Sequence, residues 1–288
     1  MNGGHVAHDR TPVSPRAGWP VWWLVFRREV ADLWIGGKAL NLLILFSVLM
    51  SITAFLLATN SELSLTPPRM MIVVTLQAAI SFGLFIGLVI ASESFSGERE
   101  RATLEPLLLA PAGRRQIVVG KYLAALSPWP FALLLTVPYV VVLAQGDIAL
   151  APALLWGALL GTLVTVAFTG VGVLVSLWSN SSRTSLFVGL LIYVVALLPA
   201  QLPTEFQSTT IGAVIQATNP LEAVRQFLLK GFIEVRPIEE FSILVYAPIA
   251  FIALVLGAIF LYAAPRLQLE ADAGGIGRAI TRATQGAK

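Results

Sequence analysis

The chain has 288 residues, 57% of them hydrophobic and only 12% charged, with a mean hydropathy of +0.81. An ordinary soluble domain is about 25% charged, so this one lacks the polar surface to stay in solution, and it is far too apolar to be disordered. There is no cysteine, which excludes disulfides, thiolate metal sites and cysteine nucleophiles. The net charge of +3 is too small to indicate nucleic acid. An integral membrane protein remains.

Residues 1–18 are polar, rich in Pro and Gly, and read as a disordered tail without a secretory signal. His5 and His8 stand there at i, i+3, a spacing that is inert in a floppy tail. Residues 19–38 are different. Trp19, Trp22, Trp23, Phe26, Val30, Leu33 and Trp34 recur at three- and four-residue steps, with Arg27, Arg28, Glu29 and Asp32 mainly between them. Arg28 and Asp32 form an i, i+4 pair. Tryptophan prefers the headgroup level, so this segment reads as an amphipathic helix in the membrane interface. It serves either as an anchor or as an elbow that also receives a cytoplasmic partner. Gly36 and Gly37 then permit a turn.

Long charge-free runs follow. Lys38 to Glu62, Arg69 to Glu93, Lys121 to Asp147, Asp147 to Arg183, Arg183 to Glu205 and Glu240 to Arg266 enclose 23, 23, 25, 35, 21 and 25 uncharged residues. About 20 apolar residues suffice to cross a bilayer as a helix. Six spans are expected: Ala39–Leu57, Met71–Ala91, Tyr122–Leu143, Ala153–Leu177, Ser185–Leu202 and Ile243–Ala264. Lipid leaves backbone polar groups to be satisfied within each segment, which favours helices. All 35 charged residues lie outside the spans so drawn. The 35-residue run is too short for two spans, and its polar end, Ser176 to Ser182, reads as a loop. Pro128, Pro130 and Pro138 in span three and Pro248 in span six should kink those helices. Gly83/Gly87 and Gly157/Gly161 are small-xxx-small pairs suited to close helix packing, although 23 glycines make one such pair by chance unsurprising.

Between spans two and three, residues 93–121 interleave acids and bases around Glu98-Arg99-Glu100-Arg101, followed by Thr103, Leu104, Glu105, Leu107 and Leu108, and then Arg114 and Gly120-Lys121. Leu104, Leu107 and Leu108 make an apolar strip at helical spacing. A solvated connector needs neither strip nor balanced charges, whereas a docking helix needs both. Between spans five and six, Asn219-Pro220-Leu221-Glu222 has a capping residue, a proline at the first helical position and Glu at the third. Leu221, Val224, Phe227 and Leu228 form its apolar face, with Glu222, Arg225 and Lys230 expected to face away. It reads as a short helix on the outer leaflet, either a lid over helix ends or part of an external gate. Residues 267–288 form a flexible tail.

Lysine and arginine orient the chain. Fifteen of them fall in the N-terminal stretch, the 93–121 loop, the fourth-to-fifth loop and the tail, and four on the other face. The positive-inside rule puts the larger set, and both termini, in the cytoplasm.

Glu98-Arg99-Glu100, Thr103-Leu104-Glu105, Leu107-Leu108, Pro111, Arg114 and Gly120-Lys121 resemble the cytoplasmic signature of type-2 ATP-binding-cassette (ABC) permeases. The pattern runs E-R-E-x-G-T-L-E-x-L-L-x-x-P-x-x-R, then G-K opening the third span. Ala102 departs from it, standing where glycine is common. The resemblance covers Glu93 to Lys121 in residues and nearly the whole chain in topology. It implies an all-α integral membrane protein with six transmembrane helices, an N-terminal interfacial helix, a cytoplasmic coupling helix between spans two and three, and short outer helices between spans five and six. Residues 39–266 would form the permease domain. It further implies the membrane subunit of an exporter, at a bacterial or archaeal plasma (inner) membrane, paired with a second permease copy or paralogue and with two ABC ATPase subunits. Glu98 to Glu105 would be the coupling helix, and spans two and five would border a central cavity. Thr75, Gln77 and Ser81 in span two, and Ser185, Tyr193 and Gln201 in span five, are the candidate cavity-lining groups; each serves equally as a helix contact.

No G-x-x-x-x-G-K-[ST] phosphate loop occurs, so ATP and its magnesium are expected in a separate chain. The charge-free spans disfavour an ion-coupled carrier, and the placement of both histidines disfavours an intramembrane protease. The alternative is a non-transporting scaffold or sensor that docks a cytoplasmic partner through the 93–121 loop. Because native cysteine is absent, topology can be read with single introduced cysteines. Cysteines at Thr66 and Gln207 should react with an impermeant thiol reagent added outside, and those at Gly113 and Gln285 should not; labelling of Gly113 from outside would reverse the orientation.

Overall fold

The computed structural model describes residues 19–59, 67–103, 113–201, 209, 212, 218–234 and 243–263. The expected tails, 1–18 and 267–288, lie outside them. The described residues are helical, without strands. In order they are α1 (Val21–Ile35), α2 (Lys38–Thr59), α3 (Pro68–Glu93), α4 (Ser96–Glu100), α5 (Arg114–Leu126), α6 (Trp129–Ala144), α7 (Leu150–Trp178), α8 (Ser182–Leu197) with a 3₁₀ turn Leu198–Gln201, α9 (Pro220–Phe232), and α10 (Ile243–Gly257) with a π-helical turn Ala258–Ala263. Six segments are long and apolar enough to cross a membrane. They correspond to the six expected spans: α2, α3, α5 with α6, α7, α8 and α10.

Span three is divided where its prolines predict. The helix stops at Leu126, turns at Ser127 and Pro128, and restarts with Pro130 in the first turn of α6, where its missing N–H costs nothing. Pro138 and Pro248 lie inside α6 and α10. Span four departs from expectation. α7 runs unbroken to Trp178, so Ser176 is not in a loop but is a fully buried helical residue. Its hydroxyl accepts the backbone N–H groups of Phe95 and Ser96, both at 2.9 Å. Serine in a helix is tolerated when its side chain has a definite partner. Here the partner is the start of α4.

α3 and α7 form the centre, with 61% and 56% of their most apolar windows buried, against 22% or less for α2, α8 and α10. Glycines let the pair approach. A Cβ on Gly157 would meet Leu76 at 3.0 Å, one on Gly161 would meet Ile80 at 2.8 Å, and one on Gly83 would overlap the Trp129 ring. Both small-xxx-small pairs therefore lie at helix contacts. At Gly172 a Cβ would stand 2.8 Å from the Ala91 Cβ and 2.9 Å from the Leu88 carbonyl oxygen, so backbone as well as side chain is in the way. Two polar bonds tie span three to α7. Trp129 Nε1 donates to Thr162 Oγ1 at 2.9 Å, and the Tyr122 hydroxyl donates to the Val166 carbonyl at 2.7 Å.

At one end the chain reverses through Gly37 (φ 75°) between α1 and α2, a left-handed conformation that suits glycine. α1 packs along α5. A Cβ on Gly120 would stand 2.8 Å from both the Trp22 carbonyl and Val25, and Trp34 Nε1 donates to Ser127 Oγ at 3.1 Å. Trp19, just before α1, is 70% exposed, and Leu24 and Ile35 within it are 50% and 88% exposed, so apolar side chains at both ends of this segment remain uncovered. Substituting Gly172→Ala should separate α3 from α7 and cost about 1–3 kcal/mol, whereas Gly257→Ala, which meets nothing within 4 Å, should be neutral or slightly stabilising. Thermal unfolding of the purified protein compares the two; equal midpoints would mean that the seam has room to spare.

Candidate functional site: the α4 junction

α4 is only five residues long, yet it contacts four spans and reaches α1 through Lys121. It continues from α3 after a break at Ser94 and Phe95, with Phe95 fully buried and Ser96 Oγ donating to the Ser92 carbonyl. Three consecutive charged side chains then go three ways. Glu98 accepts from Lys121 of α5 at 2.8 Å. Arg99 donates to the Leu177 carbonyl at 3.2 Å and to the Ser179 carbonyl, and so caps the C-terminus of α7. Glu100 accepts from the Ser182 backbone N–H at 3.1 Å, capping the N-terminus of α8. Cation at a helix C-terminus and anion at an N-terminus are the favourable placements for the helix dipoles. Ser185 Oγ fastens α8 further by donating to the Ser92 carbonyl at 2.5 Å.

Lys121 is the most constrained charge. Its side chain is 1% exposed, sits 5.5 Å from the centre of the Phe95 ring, and donates at 2.8 Å to Glu29 of α1 and to Glu98. A buried ammonium is tolerable only with such compensation. Beside it, Lys38 at the start of α2 pairs with Glu93 at the end of α3. Together these charges line a polar cavity of about 440 Å³ under α1. Drawing span three from its first uncharged residue placed Lys121 outside the helix. The structure corrects this, because α5 begins at Arg114 and Lys121 lies within it. The missed signal was Glu29 and Glu98, acids on two segments otherwise read as surface.

α4 ends in a left-handed residue. Ala102 has φ 56°, and the Ala102 and Thr103 N–H groups return to the Arg99 and Glu98 carbonyls at 3.1 and 2.9 Å. This is the hydrogen-bond pattern of a Schellman motif. The sharp turn therefore forms without the usual glycine, at a cost of roughly 1 kcal/mol. Glu100, Arg101, Ala102 and Thr103 are exposed. Arg114 is exposed at the start of α5 and has interactions of its own. Leu104, Glu105, Leu107 and Leu108 lie outside the described residues.

The candidate cavity residues separate into two groups. Gln77, Ser81 and Gln201 share a second cavity at the opposite end of the bundle. Thr75 is buried, with its hydroxyl bonded to the Met71 carbonyl; Ser185 belongs to the α4 junction; and Tyr193 lies against Phe85 with the two rings tilted by 56°. Among the described residues, no group of three or more His, Asp or Glu side chains is arranged to hold a metal ion.

The family model for the ABC-2 family transporter protein matches residues 23–267, which spans α1 through the last helix. The chain belongs to the ABC-2 transporter family. It is thus the multi-pass permease subunit of an ABC transporter, a family that works with an ABC ATPase. No curated protein matches the chain. In this permease, Lys121 is where the entry helix, span three and the α4 junction meet. Lys121→Met leaves Glu29 and Glu98, 24% and 21% exposed, without their common cation, and should cost a few kcal/mol, less than the roughly 3–5 kcal/mol of a fully buried pair. Lys38→Met, at a pair whose side chains are 37% and 29% exposed, should cost about 1 kcal/mol or less. Thermal denaturation in detergent ranks them, and a Lys38 effect equal to that of Lys121 would deny Lys121 its central place.

Proposed function

We propose that this permease is the membrane subunit of an exporter, working as a dimer with two ATPase subunits that bind ATP and magnesium. α4 and the turn after it are the coupling element. The observation that carries this reading is the convergence at α4. Glu98, Arg99, Glu100 and Ser96 attach one short helix to spans three, four and five while it remains continuous with span two. A displacement applied there reaches four spans at once. The attachment also divides the labour within the motif. Glu98, Arg99 and Glu100 hold the junction to the bundle, and Arg101, Thr103 and the segment through Leu104, Glu105, Leu107 and Leu108 meet the ATPase, with Arg114 flanking.

α1 belongs to the same element, since Lys121 ties Glu29 to Glu98. The excess of Lys and Arg on this face of the chain supports a cytoplasmic placement, with both termini inside and the protein in a bacterial or archaeal inner membrane.

The test is co-purification with a candidate ATPase and measurement of its hydrolysis in lipid. Arg101→Glu and Glu105→Lys should leave the six-span protein inserted but weaken ATPase association. Losing a buried, hydrogen-bonded charge pair costs about 2–5 kcal/mol, which is on the order of 30-fold or more in affinity. Glu62→Ala, on the opposite face, should change nothing. If both variants assemble and hydrolyse like the wild type, the coupling assignment is wrong; a chain that binds no ATPase would instead be a scaffold.

A further inference from the structure

The end of the bundle away from α4 holds a cavity that coupling does not use. It measures about 250 Å³ and opens between α3, the end of α8 and α9. Most of its wall is aliphatic, with Gln77, Ser81 and Gln201 on one side and Glu222 and Arg225 on the other. Glu222 overturns the expectation that it faces away from the bundle: its side chain is 1% exposed. Arg225, 26% exposed, donates to both of its oxygens, from Nε at 2.7 Å and from Nη2 at 2.5 Å. Gln226 adds a third bond at 3.2 Å. Glu222 is also the third residue of α9, where the helix dipole favours an anion. α9 is held in place by Asn219, whose Oδ1 accepts the Leu221 N–H at 3.0 Å and whose Nδ2 donates to the Ala196 carbonyl at 2.7 Å.

These contacts define a ligand chemistry. A guanidinium has five N–H donors, and Glu222 takes two of Arg225's. Ser81 already donates to the Gln77 carbonyl at 2.9 Å and Gln77 Nε2 to the Arg225 carbonyl at 3.5 Å, so the donors offered are chiefly those remaining on Arg225, backed by a neutralising carboxylate in a wall with no net charge. A ligand with an acceptor oxygen gains hydrogen bonds there. A ligand with a full charge would lose its hydration and find no counter-charge to offset the loss. The volume lies below the range of about 300–1,000 Å³ typical of drug-sized sites, which suits one alkyl chain or ring and not a polymer.

We infer that this cavity binds an uncharged amphiphile, whose oxygen end rests on Arg225 and the nearby amides and whose apolar body lies between spans two and five. Glu222 sets the preference for neutral ligands by cancelling the charge of Arg225. The inference rests on the permease reading only for its biological role, since the ligand is either transported cargo or a neutral membrane lipid. Its chemistry is the same in both cases.

The test uses Ala200→Cys as a reporter in the cavity wall, in a chain with no other cysteine. The protein is placed in phosphatidylcholine nanodiscs, and its modification by a water-soluble maleimide is timed with octanol, octanoate or octyltrimethylammonium present. Octanol should slow the reaction several-fold, and the two ions should not. Adding Glu222→Gln should let octanoate protect as well, because the cavity then carries a net positive charge. If that variant fails to insert, Gln77→Leu serves in its place and should weaken protection by octanol. In a second arm dioleoylglycerol in the bilayer replaces octanol. Protection by octanol without protection by the diacylglycerol identifies a small single-chain ligand, and protection by the diacylglycerol alone identifies a membrane lipid. Equal protection by all three probes, no protection by either neutral ligand, or an unchanged preference in Glu222→Gln overturns the inference. So does an equal effect of octanol on a reporter at Gly113. ATPase co-purification with the same variants is independent: lost protection with intact assembly sinks this inference alone, and lost assembly with intact protection sinks the coupling reading alone.

Discussion

A lysine ammonium with 1% of its side chain exposed must be neutralised where it stands. Lys121 is neutralised from two sides, by Glu29 of the entry helix and by Glu98 of the short helix after span two. Neither carboxylate can leave without stranding a charge in a poorly solvated place. That requirement makes three segments, distant in sequence, one mechanical piece. Apolar contact alone would let α1 slide along α5, since hydrophobic burial is non-directional. The ion pairs, and the hydrogen bond from Trp34 to Ser127, fix the register.

The rest of the junction uses backbone ends. Helix termini leave N–H and C=O groups unpaired, and here three of them are met by side chains from neighbouring elements. Arg99 closes the end of α7, Glu100 the start of α8, and Ser176 the start of α4. Each cap joins two elements, so satisfying a terminus also sets the position of a neighbour. The α3–α7 seam does the opposite. Its glycines bring backbones together but leave the Thr165 and Thr169 hydroxyls buried without a hydrogen-bond partner, Thr169 lying against Gly87. One end of the bundle is thus held by directed polar bonds and the middle by shape.

Much of this was legible in the sequence, and the errors share a cause. The six spans follow from charge-free runs, because the cost of placing charge in hydrocarbon is large and local. The division of span three follows from its prolines, the turn after α1 from Gly37, and the start of α9 from Asn219. The misreadings concern polar residues taken as surface. Ser176, Lys121 and Glu222 are each buried, and each is satisfied by a partner that a one-dimensional pattern does not display. Glu222 came nearest to being readable, since Arg225 stands three residues on, and a pair at that spacing can be buried together. The turn at Ala102 shows the same limit from the other side: alanine stands where glycine is common, and the surrounding hydrogen bonds impose a left-handed residue regardless.

Asn219 has a consequence for how such a protein can change over generations. With one side chain it begins α9 and ties it to the end of span five at Ala196. The placement of α9 is therefore set by that tie and by its buried face, not by the length of chain leading to it. A change in the length of chain ahead of Asn219 leaves both contacts in place, since a longer connection adds little closure entropy. The sequence ahead of α9 is thus free to diverge while the α3–α7 seam is left untouched.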